Sequence, residues 1–595
     1  MTIIQREVRR GLAMCLAAGV AAGLTGCVTI PTSGPVQEIT VSAQSDQNNP
    51  PYIEPLPPAA GATPGAVLEG FLAAVSSSSP SRFDVARTFL TSEAAAAWDP
   101  NAGATIYDSA GHPPNTTATS AAVTAPLIGT LDATGHFIAA YEPDFTHDFG
   151  MVPVDGQWRI SDPGPGLLLP KYLYEGYYQA VPVYFVSPDG RSLVAEQVHL
   201  NTVDATPTGA IQALLRGPST WLSPAVSTAI PADTRLAATS VTVEGAVAQV
   251  SLDDPVAGLA DDQRERMAAQ ILWTLAALPR TPTVTGVRIT LKGGPYAIPG
   301  QDASGVLGWS QVAAYRPFPD PDVRDGFLLA DARLTQLRDD QTGLPSPVPG
   351  RLGRYGATLG LRSLALSPDL TVVAAVSEDG TRLDTASLGG GDAWVTRLEG
   401  RGLTRPQIDH AGKVWVFHRS ETGPVVSVCD AQACVDAPVA GLAGAEVVAF
   451  RISPDQTRIA VVTQQDGQTR FGLLRLRVLD GLVVDGWQPI PVTTSRGVIV
   501  AYRDVAWVGD TQLLVLAESK TDGYASVYLM DADGSQVESY GPYGDVDPVE
   551  LAALPRTDGI TATLLTGSGR VYRFEDRTRW SLAVDAGVTA LAYGG

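Results

Sequence analysis

"LALSPDLTVVAAVSEDGTRLDTASL", residues 364–388, holds three short apolar runs separated by two polar turns, Ser-Pro-Asp and Glu-Asp-Gly. The runs are too short for helices and too evenly punctuated for one strand, so the segment reads as a meander of antiparallel strands. The same grammar returns four times: "PQIDHAGKVWVFHRSETGPVVSVCD" from 406, "AFRISPDQTRIAVVTQQDGQTRFGLLRL" from 449, "DVAWVGDTQLLVLAESKTDGYASVYLMD" from 504 and "LAALPRTDGITATLLTGSGRVYRFED" from 551. The turn anchors Pro368, Ala411, Pro454, Gly509 and Thr557 recur at roughly 45-residue intervals, the period of a four-stranded propeller blade. "GVTALAY" at 587–593 restarts the first strand of the pattern and can complete a ring with "GFLLADARLTQL" from 326. Residues 310–595 are therefore expected to form an all-β propeller of five to six blades.

The repeated Ser-Pro-Asp triplets at 367–369 and 453–455 carry loop aspartates of the kind that attract cations. Proline fixes φ and aspartate closes an Asx-turn, so the architecture alone explains them as turn residues.

Upstream, residues 179–300 mix helices and strands. "VPVYFVSPDGRSLVAEQVHL" is a hairpin about Asp189-Gly190, and "TSVTVEGAVAQVSLD" is another, expected to turn at Glu244-Gly245. Thr206 and Pro207 open a helix that Gly217 and Pro218 close. A longer helix follows, with Asp262 and Glu265 in a capping arrangement and Met267, Ile271, Leu275 and Leu278 as its buried stripe. "LLRGP", "IPADTRL", a V-x-G-x-A-x-V-x-L hairpin and a helix ending "TLAALP" resemble the GerMN domain. The resemblance implies a compact α+β module with Leu214, Leu215, Ile230 and Val250 in its core and no catalytic machinery.

Residues 61–178 begin with helices: one capped by Thr63 with Val67, Phe71 and Val75 on one face, one carrying Val85 and Phe89, and one over 92–98. Strands follow, with a hairpin at Asp155-Gly156 and an ending "QWRIS". The order resembles a cone-shaped NTF2-like α+β domain.

Arg6, Arg9 and Arg10 precede an apolar stretch over 11–23 that is too short to span a bilayer, and Leu24-Thr25-Gly26-Cys27 resembles a bacterial lipobox. That resemblance makes residues 1–26 a signal peptide and Cys27 an N-palmitoyl, S-diacylglycerol cysteine on the extracytoplasmic face of the cell membrane. Several acyl chains hold a protein stably where one does not. Residues 27–60, with Pro50, Pro51, Pro55, Pro57 and Pro58, read as an extended tether. Beyond the signal the only cysteines are Cys429 and Cys434, expected to pair as a small structural disulfide in an oxidising compartment. A net charge of −21 excludes nucleic acid as a partner.

Lipobox, NTF2-like segment, GerMN module and propeller, in that order, resemble the LpqB family of actinobacterial lipoproteins. Membership implies an accessory role beside the MtrA–MtrB two-component system, through the extracytoplasmic side of the MtrB sensor kinase, linked to cell-wall homeostasis and division.

Catalysis finds no foothold in the sequence: no GxSxG, GxxxxGK[ST] or strand-linked GxGxxG occurs, and no cofactor or metal is implied. His112, His136, His147, His199, His410 and His418 are scattered. The densest acidic-histidine group is Glu142, Asp144, His147 and Asp148, where the adjacent His147 and Asp148 face opposite sides of a strand. His418 is expected in a core or inter-blade hydrogen bond. An alternative function, a peptidoglycan- or glycan-binding envelope protein or an envelope hydrolase, draws on the aromatic run Tyr172, Tyr174, Tyr177, Tyr178 and Tyr184, although tyrosines at a domain junction more often cement an interface.

Overall fold

A computed structural model describes residues 54–594, apart from 78, 80, 141–143, 280–282, 340–344, 391–392, 479–480, 495–496 and 543–545. The signal segment, Cys27, Glu142 and most of the tether lie outside the described residues.

The N-terminal module starts as its caps dictate. Thr63 Oγ1 accepts from the Ala66 N–H, Pro64 fills the first helical position, and helix Pro64–Ser76 buries Val67, Leu68, Phe71 and Val75. Helices Arg82–Arg87 and Ser92–Ala97 follow, so Phe89 lies beyond its helix, buried in the same core. Phe71 packs against Trp98 at 5.6 Å and Phe149 at 6.3 Å. Strand Ala104–Tyr107 pairs antiparallel with Leu127–Leu131 and parallel with Leu167–Pro170. The parallel pairing needs glycine at Gly103 and Gly166: a Cβ on Gly166 would stand 2.2 Å from the Gly103 carbonyl oxygen. The hairpin Met151–Val154 to Gln157–Ile160 turns at Asp155 and Gly156, both at positive φ as a type I′ turn requires.

The middle module is built on the nine-residue hairpin Tyr178–Val186 with Leu193–Asn201. Helix Asp261–Ala276 covers it with Met267, Ile271 and Leu275 fully buried, and Leu278 just beyond its end. The buried Gln270 amide donates to the Tyr184 carbonyl (2.9 Å) and accepts from the Ala229 N–H (2.8 Å), so a polar side chain in the core is satisfied. The helix also serves as the crossover between the parallel strands Val247–Leu252 and Gly286–Leu291. Leu214, Ile230 and Val250 are buried and Leu215 is partly buried against the same core.

Two details of this module differ from the sequence expectation. The hairpin turns at Gly245-Ala246, both at positive φ, one residue later than Glu244-Gly245. The long helix is capped by Gln263, whose Oε1 accepts from the Ala260 N–H, and not by Asp262 with Glu265. Asp262 instead pairs with Arg266 one turn on.

The described residues within 326–592 form six antiparallel sheets, here blades 1 to 6: 361–399, 407–438, 446–489, 493–539, 548–584, and a sixth made from both ends. In the sixth, Val588–Ala592 is the innermost strand and pairs with Gly326–Ala330, which is followed outward by Arg333–Leu337 and Ser346–Pro347. The ring is thereby closed by sequence-distant strands. Apolar side chains fill the spaces between blades, as where Phe417 meets Phe450 at 4.8 Å. In the Ser-Pro-Asp turns, Ser367 and Ser453 hydroxyls donate to Asp369 and Asp455, and Leu370 and Gln456 take positive φ. Ser187 and Asp189 make the same contact in the middle module, which identifies the triplet as a turn device.

Candidate functional site: the propeller axis, the domain junction and the outward face

Arg405 lies where the propeller's blades converge. Its guanidinium donates to Asp504 of blade 4 (2.7 Å), to Glu550 of blade 5 and to the Leu551 carbonyl (3.0 Å). Asp504 also accepts from the Leu551 N–H at 2.8 Å, and Arg451 of blade 3 stands 3.8 Å from it. Glu550 accepts from the Leu591 N–H of the closing strand at 3.3 Å. Burial opposes the Arg405 charge, but the carboxylates of Asp504 and Glu550 outweigh it and hold the guanidinium charged. Beside this hub a cavity of about 300 Å³ opens at the C-terminal ends of the inner strands, lined by His410, Arg451, Trp507 and Tyr593 and by Phe318–Asp322 of the incoming linker. Burial lowers the His410 imidazole, and Asp409 is spent on the Trp415 indole N–H (2.8 Å) and on the N–H groups of its own turn.

The same end of the propeller meets the other modules. The Tyr174 hydroxyl lies 2.8 Å from His199 Nδ1, and His199 Nε2 lies 2.8 Å from Asp533 Oδ2, so one imidazole joins the N-terminal helix Lys171–Tyr177, the middle hairpin and blade 4. Tyr174 and Asp533 thus hold the two ring nitrogens of His199 from opposite sides. Burial and the adjacent Asp533 push the Asp531 carboxyl up to about 6. Burial alone would lower His136, but Glu196 and Asp132 outweigh it and raise the imidazole above its ordinary value. Tyr184 donates to Asp510 (2.9 Å), Trp221 donates to the Gly486 carbonyl (2.7 Å) and Thr557 donates to Asp320 (3.0 Å). Tyr174 and Tyr184 thus act as junction residues, while Tyr172 is exposed.

Among the described residues, the polar contacts of these modules with the propeller named above do not reach the opposite mouth of the ring. Because the inner strands end at the cavity, their N-terminal ends lie at the other mouth. There, among the described residues, five of the six inner strands carry a β-bulge whose extra residue is exposed: Arg362, Val448, Val500, Val549 and Thr589; the blade 4 strand has a second bulge at Arg503. With Val498, Tyr355 (79% exposed) and Leu359 (69%), they leave an interrupted apolar ring in solvent.

Other expected residues do not converge on chemistry. His147 bonds the Asp162 carbonyl (3.0 Å) and packs on Phe149, while Asp148 accepts from the Gly150 N–H, so the acidic-histidine group disperses. Among the described residues no three His, Cys, Asp or Glu side chains gather as a metal site. His418 contacts Ser427 (2.8 Å) across strands of its own blade, not between blades. Ser427, fully buried, donates in turn to Asp436 (2.5 Å), so the serine stands between histidine and carboxylate, the wrong order for an activated nucleophile. Cys429 and Cys434 are disulfide-bonded at directly opposed positions of one hairpin. Arg405, His199 and Asp533 were not legible as site residues: Arg405 has no local pattern, and "DADG" at 531–534 reads only as a turn.

Comparison with known proteins covers all three modules. The model of the lipoprotein LpqB N-terminal domain matches residues 57–174, the sporulation and spore germination model matches 182–297, and the lipoprotein LpqB beta-propeller model matches 333–591. A Cutibacterium acnes protein named lipoprotein LpqB is 30% identical over 581 residues, 96% of this chain and 97% of the relative. Namesakes from Streptomyces coelicolor (27% identical; 89% and 90% covered) and Thermobifida fusca (28%; 97% and 98%) align similarly.

Proposed function

The chain belongs to the LpqB family of lipoproteins, and from that premise we propose that it is a lipid-anchored accessory protein of the outer face of the cell membrane that works by binding, not by catalysis. Its partner on this reading is the ectodomain of the sensor kinase of the MtrA–MtrB system. The effect is exerted by binding the kinase's signalling states with different affinity, since a ligand shifts an equilibrium only by that difference. The observation that carries the reading is the bulge ring around Val448, Val500 and Val549. Exposed apolar side chains set in a polar rim have the anatomy of a protein-docking surface. It faces away from the junction that Tyr174, His199 and Asp533 hold together, so a partner there leaves that junction undisturbed.

The test is direct binding of residues 28–595 to the purified sensor ectodomain on a biosensor. Saturable binding that the double change Val500→Glu, Val549→Glu weakens about tenfold or more supports the reading. Absence of binding at about 100 μM ectodomain overturns it.

A further inference from the structure

Between the middle module and blades 4 and 5 lies a second cavity, of about 530 Å³. Domain junctions are a usual place for small-ligand sites, and the volume falls in the range of roughly 300–1,000 Å³ that such sites occupy. Its two walls differ in kind. The middle module supplies a contiguous aromatic row, Tyr184–Trp273–Trp309, with ring centroids 5.7 and 5.0 Å apart, and the linker adds Phe318. Trp273 and Trp309 are only partly buried. The propeller supplies polar turns, with Asp510, Thr511 and Gln512 on one and Arg556 and Thr557 on the other. Tyr184 holds one oxygen of the Asp510 carboxyl, and no second side chain among the described residues engages the other oxygen.

The lining selects the ligand by charge. Arg316 and Arg556 oppose an ammonium group, and Asp320 and Asp510 oppose an anion. Arg316 lies 3.4 Å from Asp320 and Arg556 lies 2.7 Å from Asp558, so most of this charge is already paired. An uncharged, hydroxyl-rich molecule with an apolar face fits both walls. Its C–H face lies on Trp309, to which Trp273 stands edge-on at 84°, while its hydroxyls reach Asp510 and the oxygen of Gln512, whose amide nitrogen donates to Asp531 (3.2 Å). A row of rings suits an extended chain, whereas a cage around one point would suit a cation. We propose that this cleft binds a short stretch of uncharged oligosaccharide, with Trp309 as stacking platform and Asp510 and Gln512 as hydroxyl partners.

The proposal is independent of the sensor kinase, and its test does not involve it. Mature chain, residues 28–595, is titrated with chitotetraose and with maltotetraose by tryptophan fluorescence and by ligand-observed saturation-transfer NMR. Tetralysine and tetraglutamate serve as charged probes. At least one sugar is expected to bind saturably, with Trp309→Ala and Asp510→Ala each weakening it about tenfold or more and the charged peptides silent. Gln512→Ala, on an exposed side chain, keeps the site testable if Trp309→Ala fails to fold. No binding of either sugar at about 10 mM, binding that all three variants leave unchanged, or binding of a charged peptide in place of sugar overturns it.

Discussion

His199 Nε2 lies 2.8 Å from Asp533 Oδ2 although 334 positions separate the two residues. The contact is buried on the imidazole side and backed by Tyr174. Replacing His199 by alanine leaves a phenol and a carboxylate without their partner. The expected loss is roughly 2–4 kcal/mol of junction stability. Calorimetry should show the melting of the propeller separating from that of the two preceding modules; an unchanged melting profile would contradict the latch.

Asp531 gives the junction a pH dependence of defined sign. Its folded carboxyl titrates near 6, above the ordinary carboxylate range, because of burial and the neighbouring Asp533. A raised acid contributes stability while protonated and loses it as pH climbs from about 4 through about 6. Asp531→Asn should therefore melt higher than the parent at pH 7.5, with the difference closing by pH 4. A constant difference across that interval would mean that Asp531 does not titrate as described.

Arg405 binds two carboxylates and a carbonyl from other blades, so its removal strands Asp504 and Glu550 in the axis. Arg405→Ala is expected to cost about 3–5 kcal/mol, and lysine to recover only part of it for want of the guanidinium fork. Urea denaturation followed by fluorescence measures both. Burial already pushes the Glu550 carboxyl up, so the alanine variant should regain stability in acid, where that carboxyl is neutral.

On the proposed lipid anchorage, Cys27→Ala should shift the protein from the membrane fraction to the medium, with loss of metabolically incorporated palmitate. Retention of the variant in the membrane would argue for an uncleaved signal as the anchor.

Local structure was legible wherever one residue type answers one local need. Thr63 and Thr206 cap their helices, Asp155-Gly156 turns its hairpin, and the turn rhythm from Pro368 to Thr557 maps onto blades. The shift to Gly245-Ala246 was not legible because Ala246 adopts a positive φ that alanine rarely takes, so glycine serves as the first central residue and not the second. The junction and the axis were illegible for another reason. His199 alternates into place on an ordinary strand, and Arg405 lies 99 and 145 positions from its two carboxylates. Such pairings are decided by how modules meet, and nothing within a few residues of either side chain records it. The outward valines were hidden likewise: Val448 and Val500 sit in apolar runs, Val549 lies between Pro548 and Glu550, and each reaches solvent where a bulge breaks the alternation.

The strand Val588–Ala592, paired to Gly326–Ala330, joins the two ends of the propeller sequence in one blade. Until it docks, Gly326–Ala330 holds open a hydrogen-bonding edge on the side that Val588–Ala592 covers. A chain cut short before Val588 therefore leaves the ring unsealed, with that edge free to pair with another strand and aggregate.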